Sequence, residues 1–266
     1  MDPTPCQIFP SDDVADRIAT LRRNCAVATR HGLEIGPLAS PIVRKDEGPI
    51  FYLDYASTDA LKSKSSTDPS VNVANVVEID FCLEQGSLAQ VAMPAAPYQY
   101  VVASHVFEHV PNPIRWLEQV CNLLAPDGVV SLAIPDRRYT YDFYRASTTV
   151  AQLLSYHKDE LTRPSAFQLY DHYLNVAKVD TLLAWSQDFR SITPDRYNSD
   201  EVADLLCDQS AGGRYVDCHC TVWTAEHFLT IFSQIQRLRS LPLEVSELHL
   251  PARGSNEFIV QLRRSA

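Results

Sequence analysis

The chain has 266 residues, 45% of them hydrophobic and 21% charged, which gives room for one large soluble domain or a domain with an insertion. Its formal net charge of −10 makes it a poor candidate for sequence-independent binding along a nucleic-acid backbone, which needs clustered Lys and Arg. No apolar run approaches the roughly 18 residues of a membrane span, and neither the first residues nor the seven scattered cysteines suggest export, so a reduced, cytoplasmic protein is expected.

Ser11, followed by Asp12 and Asp13, predicts a helix start, with Val14, Ile18, Leu21 and Cys25 on its inner face. Short apolar runs at 32–36, 50–54, 76–80, 100–104 and 129–134 then predict buried strands. Between the last two, Asn112 can cap a helix that has Pro113 in its first turn. Ile114, Leu117, Cys121 and Leu124 line one face of that helix, and Pro126-Asp127-Gly128 ends it. Strand, helix and strand with short connections imply a parallel sheet with right-handed crossovers.

Residues 137–221 are mostly helical in pattern, with breaks at Pro164, Pro194 and Gly212-Gly213. They predict a helical insertion over the ligand side of a core made of 1–136 and 222–266. Thr224 can cap a last helix reaching about Leu238. Two alternating segments joined across 251–255 then predict an antiparallel hairpin.

In an open α/β sheet, ligands bind beyond the carboxyl ends of the strands, near the point where strand order reverses. The predicted strands end at Glu34-Ile35-Gly36, Asp54, Asp80-Phe81, Ser104-His105 and Pro135-Asp136. Gly36 permits a tight turn and a close ligand approach. Asp54 is spaced from the first loop as an acid that accepts from two ribose hydroxyls. Asp80 and Phe81 suit an adenine amine and ring face. The first loop lacks the three-glycine pyrophosphate fingerprint, which argues against a dinucleotide.

His105-x-x-Glu108-His109 has the spacing of a zinc-protease motif, but that chemistry needs a helix through 105–109, and these residues follow a buried strand. In Cys218-His219-Cys220 the cysteines would share one side of an extended strand, with His219 opposite, and the spacing is not that of a zinc knuckle. No metal is expected. The segment "PDRRYTYDFYR" packs arginines and tyrosines just after the fifth strand. It can be a helix start with solvated arginines or a wall for substrate.

The segments "GLEIGP", "YLDYAS", "VEIDF", "YQYVVASHVFEHVPNP" and "LLAPDGVVSLAIPDRRYTYD", with the final hairpin, resemble the class I S-adenosylmethionine-dependent methyltransferases. The likeness is to their small-molecule, type 11-like branch. It implies a Rossmann-like, doubly wound, seven-stranded, mostly parallel sheet with S-adenosylmethionine as cofactor. Glu34, Gly36 and Pro37 would then lie near the methionine part, Asp54 and Tyr55 at the ribose, and Asp80 and Phe81 at the adenine. Ser104 and His105 would close the floor. Pro37-Leu38 departs from the family pattern, which has a second glycine there.

By the same resemblance His109 would be the general base, paired with Asp136, with His105 as the other candidate. Arg137, Arg138, Tyr139 and Tyr141 would hold the acceptor, a small molecule or saccharide methylated on oxygen. An N- or C-methyltransferase stays open, as does an inactive binding or interaction protein of the same fold in polysaccharide assembly.

Overall fold

The β-rich runs lie side by side in the computed structural model, which describes residues 6–10, 16–188 and 191–265. The strands are β1 (Gln7–Phe9), β2 (Gly32–Ile35), β3 (Ile50–Asp54), β4 (Phe81–Cys82), β5 (Tyr98–Ser104), β6 (Leu124–Pro135), β7 (Leu243–His249) and β8 (Glu257–Arg264). Their order in one sheet is β1-β7-β8-β6-β5-β2-β3-β4. From β6 to β4 every pair is parallel, and β8 runs antiparallel between β6 and β7. The class I architecture is therefore present, with short β1 adding an eighth strand parallel to β7.

Side-chain alternation explains why the sheet is buried on both faces. Leu33, Ile35, Val101, Ala103, Leu132 and Ile134 point into one core, while Ile50, Tyr52, Tyr100, Val102 and Ala133 point into another. After α1 (Arg17–Arg22), α2 (Thr58–Ser65) and α3 (Leu88–Ala92) in chain order, the first face is covered by α4 (Pro113–Leu123) and α9 (Ala225–Arg239). Both start as their sequences predict. The Asn112 side chain accepts from Arg115 N at 3.1 Å, and Thr224 Oγ accepts from His227 N at 3.2 Å.

Helix α1 (Arg17–Arg22) contributes Leu21 to the second face. Asp16 caps it; the predicted start at Ser11 lies outside the described residues. The connection 36–49 has no helix, and its Ile42 and Val43 fill the same core. Glu34, 2% exposed, holds this connection, its carboxylate accepting from Ile42 N at 2.6 Å and Val43 N at 3.0 Å. Burial pushes its carboxyl up to about 7, against the pull of those two N–H groups and of Arg22 and Arg17.

One strand boundary needs correction. Residues 76–80 do not form a ladder; only Phe81 and Cys82 pair, with Leu53 and Asp54. The reason is competition: Val77 N donates to Leu38 O at 2.9 Å, and Val76 packs with Ala56 and Leu61 in a separate small cluster. Strand β6 also begins earlier than expected, running through Pro126-Asp127-Gly128 past a register shift opposite Tyr98–Tyr100.

Residues 137–221 carry α5 (Val150–Lys158), α6 (Ala166–Tyr173), α7 (Thr181–Ser186) and α8 (Asp200–Ala211). The strand order reverses between β2 and β5, so the Gly36 and His105 ends flank the crevice where such sheets bind ligands.

Glu34→Ala should lower stability by about 1–3 kcal/mol in urea unfolding, because it leaves two buried N–H groups without an acceptor. Glu34→Gln, which keeps one acceptor oxygen, should lose less. Wild-type stability of the alanine variant would contradict this role.

Candidate active site

Gly36 follows β2 with φ +72°, donates its N–H to Leu53 O at 2.8 Å, and has no room for a Cβ, which would lie 2.5 Å from Val106. Leu38 has φ +43°, so it keeps the left-handed turn where the family pattern has glycine. Pro37 between them is buried. At the end of β3, Asp54 is 5% exposed and accepts from Tyr55 N at 2.7 Å. Burial pushes its carboxyl up to about 6, opposed by that hydrogen bond and by Lys64. The Tyr55 ring is exposed, with the Lys64 ammonium 4.7 Å from its centroid.

Asp80 is committed elsewhere. Its carboxylate accepts from Tyr52 N at 2.8 Å and pairs with Lys45 at 2.7 Å, while the Phe81 ring stacks on Phe51 at 5.4 Å. Register puts Cys82, not Asp80, level with Asp54, so the turn that follows it, Leu83–Gln85, extends beyond the strand end.

Beyond β5, Ser104 Oγ accepts from Arg17 at 2.6 Å, and Arg17 also forks onto Glu257 at 2.5 and 3.0 Å. His105, at φ +53°, places Nε2 2.7 Å from Glu257. Burial disfavours its cation, but the Glu257 hydrogen bond and the Glu108 charge outweigh it and raise its pKa. Residues Phe107–His109 form a single 3₁₀ turn, not the helix a zinc-protease motif requires. Glu108 is fully buried and neither carboxylate oxygen has a hydrogen-bond partner.

His109 does not meet Asp136. Its Nδ1 lies 3.1 Å from Asp217. Burial disfavours its cation, yet Asp217 and Glu108 push its pKa up to about 9, so at neutral pH it is largely protonated and a poor base. Both Asp136 oxygens are occupied. Arg138 donates at 2.8 and 2.7 Å and Ala225 N at 3.3 Å, which fixes the start of α9.

Arg137 donates to Phe143 O at 2.9 Å, and Arg138 extends from Asp136 to Glu226 at 3.2 Å, so both are used within the protein. Tyr139 stacks on Trp185 with centroids 4.2 Å apart, and Tyr141 OH lies 2.5 Å from His219 Nε2.

His219, far along the chain, is where sequence reasoning saw least. Its Nδ1 lies 2.6 Å from Asp142, and Asp142 pairs with Arg145 at 2.7 Å. Burial alone would raise the Asp142 carboxyl; His219 and Arg145 outweigh it and hold it well below the carboxylate range. Arg145 is itself 1% exposed and also binds Asp171 at 2.7 Å and His219 O at 2.8 Å. Backbone bonds from Cys220 N (2.6 Å) and Thr221 N (3.1 Å) to Glu108 O seat this segment on the 107–109 turn. The cysteines Cys218 and Cys220 share one side, Sγ to Sγ 3.8 Å, with His219 turned away from them, the alternation their spacing suggests.

A cleft of about 150 Å³ lies between these strand ends and the helical segment, lined by His105, Tyr139, Tyr141, Val179, Tyr197 and His219 among others. Neither Arg137 nor Arg138 lines it.

The sequence matches the family described as methyltransferase domain over residues 32–232, well over half of the chain. The chain belongs to the methyltransferase family. Its methyl donor is S-adenosylmethionine. The strand ends fit that group: a buried carboxylate, Asp54, with its pKa raised by burial, suits a vicinal diol, and the exposed Tyr55 ring lies beside it.

No curated protein matches this chain. Among solved structures, a Rhodobacter sphaeroides chain named for Zn-dependent alcohol dehydrogenases is similar at 13% identity, with 95% of this chain and 91% of that one covered and a TM-score of 0.52. At that identity the likeness concerns the fold and nothing chemical. The CcbJ methyltransferase of Streptomyces caelestis is 14% identical, covers 94% and 89% of the two chains, and has a TM-score of 0.47. An S-adenosylmethionine-dependent methyltransferase from Mesorhizobium loti is 13% identical, with 95% and 99% covered and a TM-score of 0.47.

In this methyltransferase, Arg145→Ala should cost about 3–5 kcal/mol of stability, because it leaves Asp142 and Asp171 without their buried counter-charge. Urea unfolding checks it, and a loss below about 1 kcal/mol would contradict the assignment.

Proposed function

We propose that this methyltransferase acts on a hydroxyl oxygen of a small, uncharged acceptor such as a sugar unit. The cleft carries the reading: its walls include three tyrosines, and both nearby arginines are bound to other protein groups instead of facing it. Aromatic faces pack against the C–H faces of a sugar ring, and a cleft without a free guanidinium offers little to a carboxylate or phosphate. No helix among the described residues is long and apolar enough to cross a membrane. The seven free cysteines fit a reducing, cytoplasmic setting.

S-adenosylmethionine supplies an electrophilic methyl group on a sulfonium. Asp54 accepts hydrogen bonds from the ribose hydroxyls, and Tyr55 lies against the nucleoside. The Gly36–Leu38 turn faces the methionine part, and the turn after Cys82 serves the adenine side in place of Asp80. Tyr141 orients the acceptor hydroxyl. His105, the imidazole held by Glu257 in the cleft wall, takes its proton. Positioning of the acceptor oxygen in line with the methyl group supplies much of the acceleration.

Asp54→Ala should weaken S-adenosylmethionine binding at least tenfold, about 1.4 kcal/mol, in calorimetry. Because the carboxylate must be ionised to accept from two hydroxyls, wild-type affinity should be level above about pH 6. Below that it should weaken by up to about tenfold per pH unit. Asp54→Asn should flatten this dependence, and an unchanged pH profile would remove Asp54 from the pocket.

His105→Ala should lower kcat about a hundredfold or more with cofactor affinity retained. Full turnover would dismiss it as the proton acceptor.

A further inference from the structure

Glu108 is the least satisfied group among the described residues: a carboxylate with no exposed surface and neither oxygen hydrogen-bonded. Isolated buried carboxylates are costly, and a cation or a full set of donors relieves the cost. Three imidazoles converge on it at distances too long for hydrogen bonds. His105 Nδ1 lies 3.5 Å, His219 Nε2 3.8 Å and His109 Nε2 3.9 Å from Glu108 Oε1.

Each imidazole is held from behind by a different carboxylate. His109 Nδ1 is on Asp217 at 3.1 Å, His219 Nδ1 on Asp142 at 2.6 Å, and His105 Nε2 on Glu257 at 2.7 Å. With one nitrogen held by a carboxylate, His109 and His219 each place the other nitrogen toward Glu108, and a bound metal ion would displace any proton that nitrogen carries. This is the arrangement of metal-ligating histidines, whose second nitrogen is fixed by an outer carboxylate.

The geometry points to a binding site for a divalent transition-metal ion of the zinc type, held by Glu108, His109 and His219. Ligand atoms of these three residues all lie within 4.8 Å of one another. Zinc bonds of about 2.0–2.2 Å put tetrahedral ligands about 3.4 Å apart, so Glu108 Oε1, now 3.8 and 3.9 Å from the two imidazole nitrogens, must close on each by about half an ångström. Two imidazoles and one carboxylate suit zinc, cobalt or nickel better than calcium or magnesium, which prefer oxygen. Three protein ligands leave a coordination position open, as catalytic rather than structural sites do.

Tyr141 is the competitor, since its hydroxyl lies 2.5 Å from His219 Nε2 and must give up that contact. It also lines the cleft, as His219 does, so the site would border the cavity that the proposed function gives to the acceptor. Spacing within His105-x-x-Glu108-His109 could not show this site, because the third ligand comes from the 218–221 segment docked on the Glu108 carbonyl.

The site is tested on the full chain with neither cofactor nor acceptor present, so its outcome is separate from the methyltransferase reading. After treatment with a chelator, Zn2+ titrated by calorimetry should bind at one equivalent. One equivalent of Co2+ should give visible ligand-field absorption without the near-ultraviolet band of thiolate ligation.

Glu108→Gln and His219→Ala should weaken Zn2+ binding by more than about a hundredfold, and Asp217→Asn by about 10–100-fold. Asp217 is half-exposed on the surface, so its variant keeps the test available should the buried variants fail to fold. Absence of stoichiometric binding would overturn the proposal. Binding that persists unchanged in the Glu108 variant, or in the Asp217 variant if the former does not fold, would equally overturn it.

Discussion

Arg145 is the interaction on which the candidate site depends. A guanidinium with almost no solvent contact is shared between Asp142, Asp171 and the carbonyl of His219. In a medium of low effective dielectric, such charges hold their places only if all partners are present. Asp171 belongs to α6, Asp142 to the chain just after β6, and His219 to the segment returning toward α9. One side chain therefore ties the helical segment to the sheet and aligns the carboxylate that holds His219.

From that fixed point the polar groups follow in sequence. Asp142 orients His219, His219 and His109 meet edge to face with centroids 4.6 Å apart, and both rings turn toward Glu108. On one side of this group Asp217 feels the charge of Lys64, which in turn feels Asp54 and Tyr55 at the end of β3. On the other side His219 and Tyr141 line the cleft. The cluster thus stands between the strand-end acid Asp54 and the tyrosine-lined cleft.

Much of the frame is legible in local pattern. Strands β2, β3, β5 and β6, helices α4 and α9 and the final hairpin rest on caps, turn residues and alternation that a short window contains. Residues 76–80 misled because their apolar run has a strand's composition, while its hydrogen bonds go to Leu38 and Tyr52. The site was harder to read. His109 and Asp136 are plausible partners in sequence, but the pairing observed is with Asp217, and Asp136 serves Arg138 and α9. Glu257, Asp217 and His219 reach the strand ends from distant segments, and nothing local signals which imidazole each carboxylate will hold. Local sequence does show the strand-end residues Gly36, Asp54 and His105, and the alternation that sets His219 opposite Cys218 and Cys220.

The central claim is that S-adenosylmethionine lies across the reversal between β2 and β5 and turns its sulfur toward the tyrosine-lined cleft. A crystal structure with S-adenosylhomocysteine tests this most directly. The account predicts the ribose hydroxyls on Asp54 and the sulfur facing Tyr141 and His105. A nucleoside seated away from Asp54, or a sulfur walled off from the cleft, would contradict it.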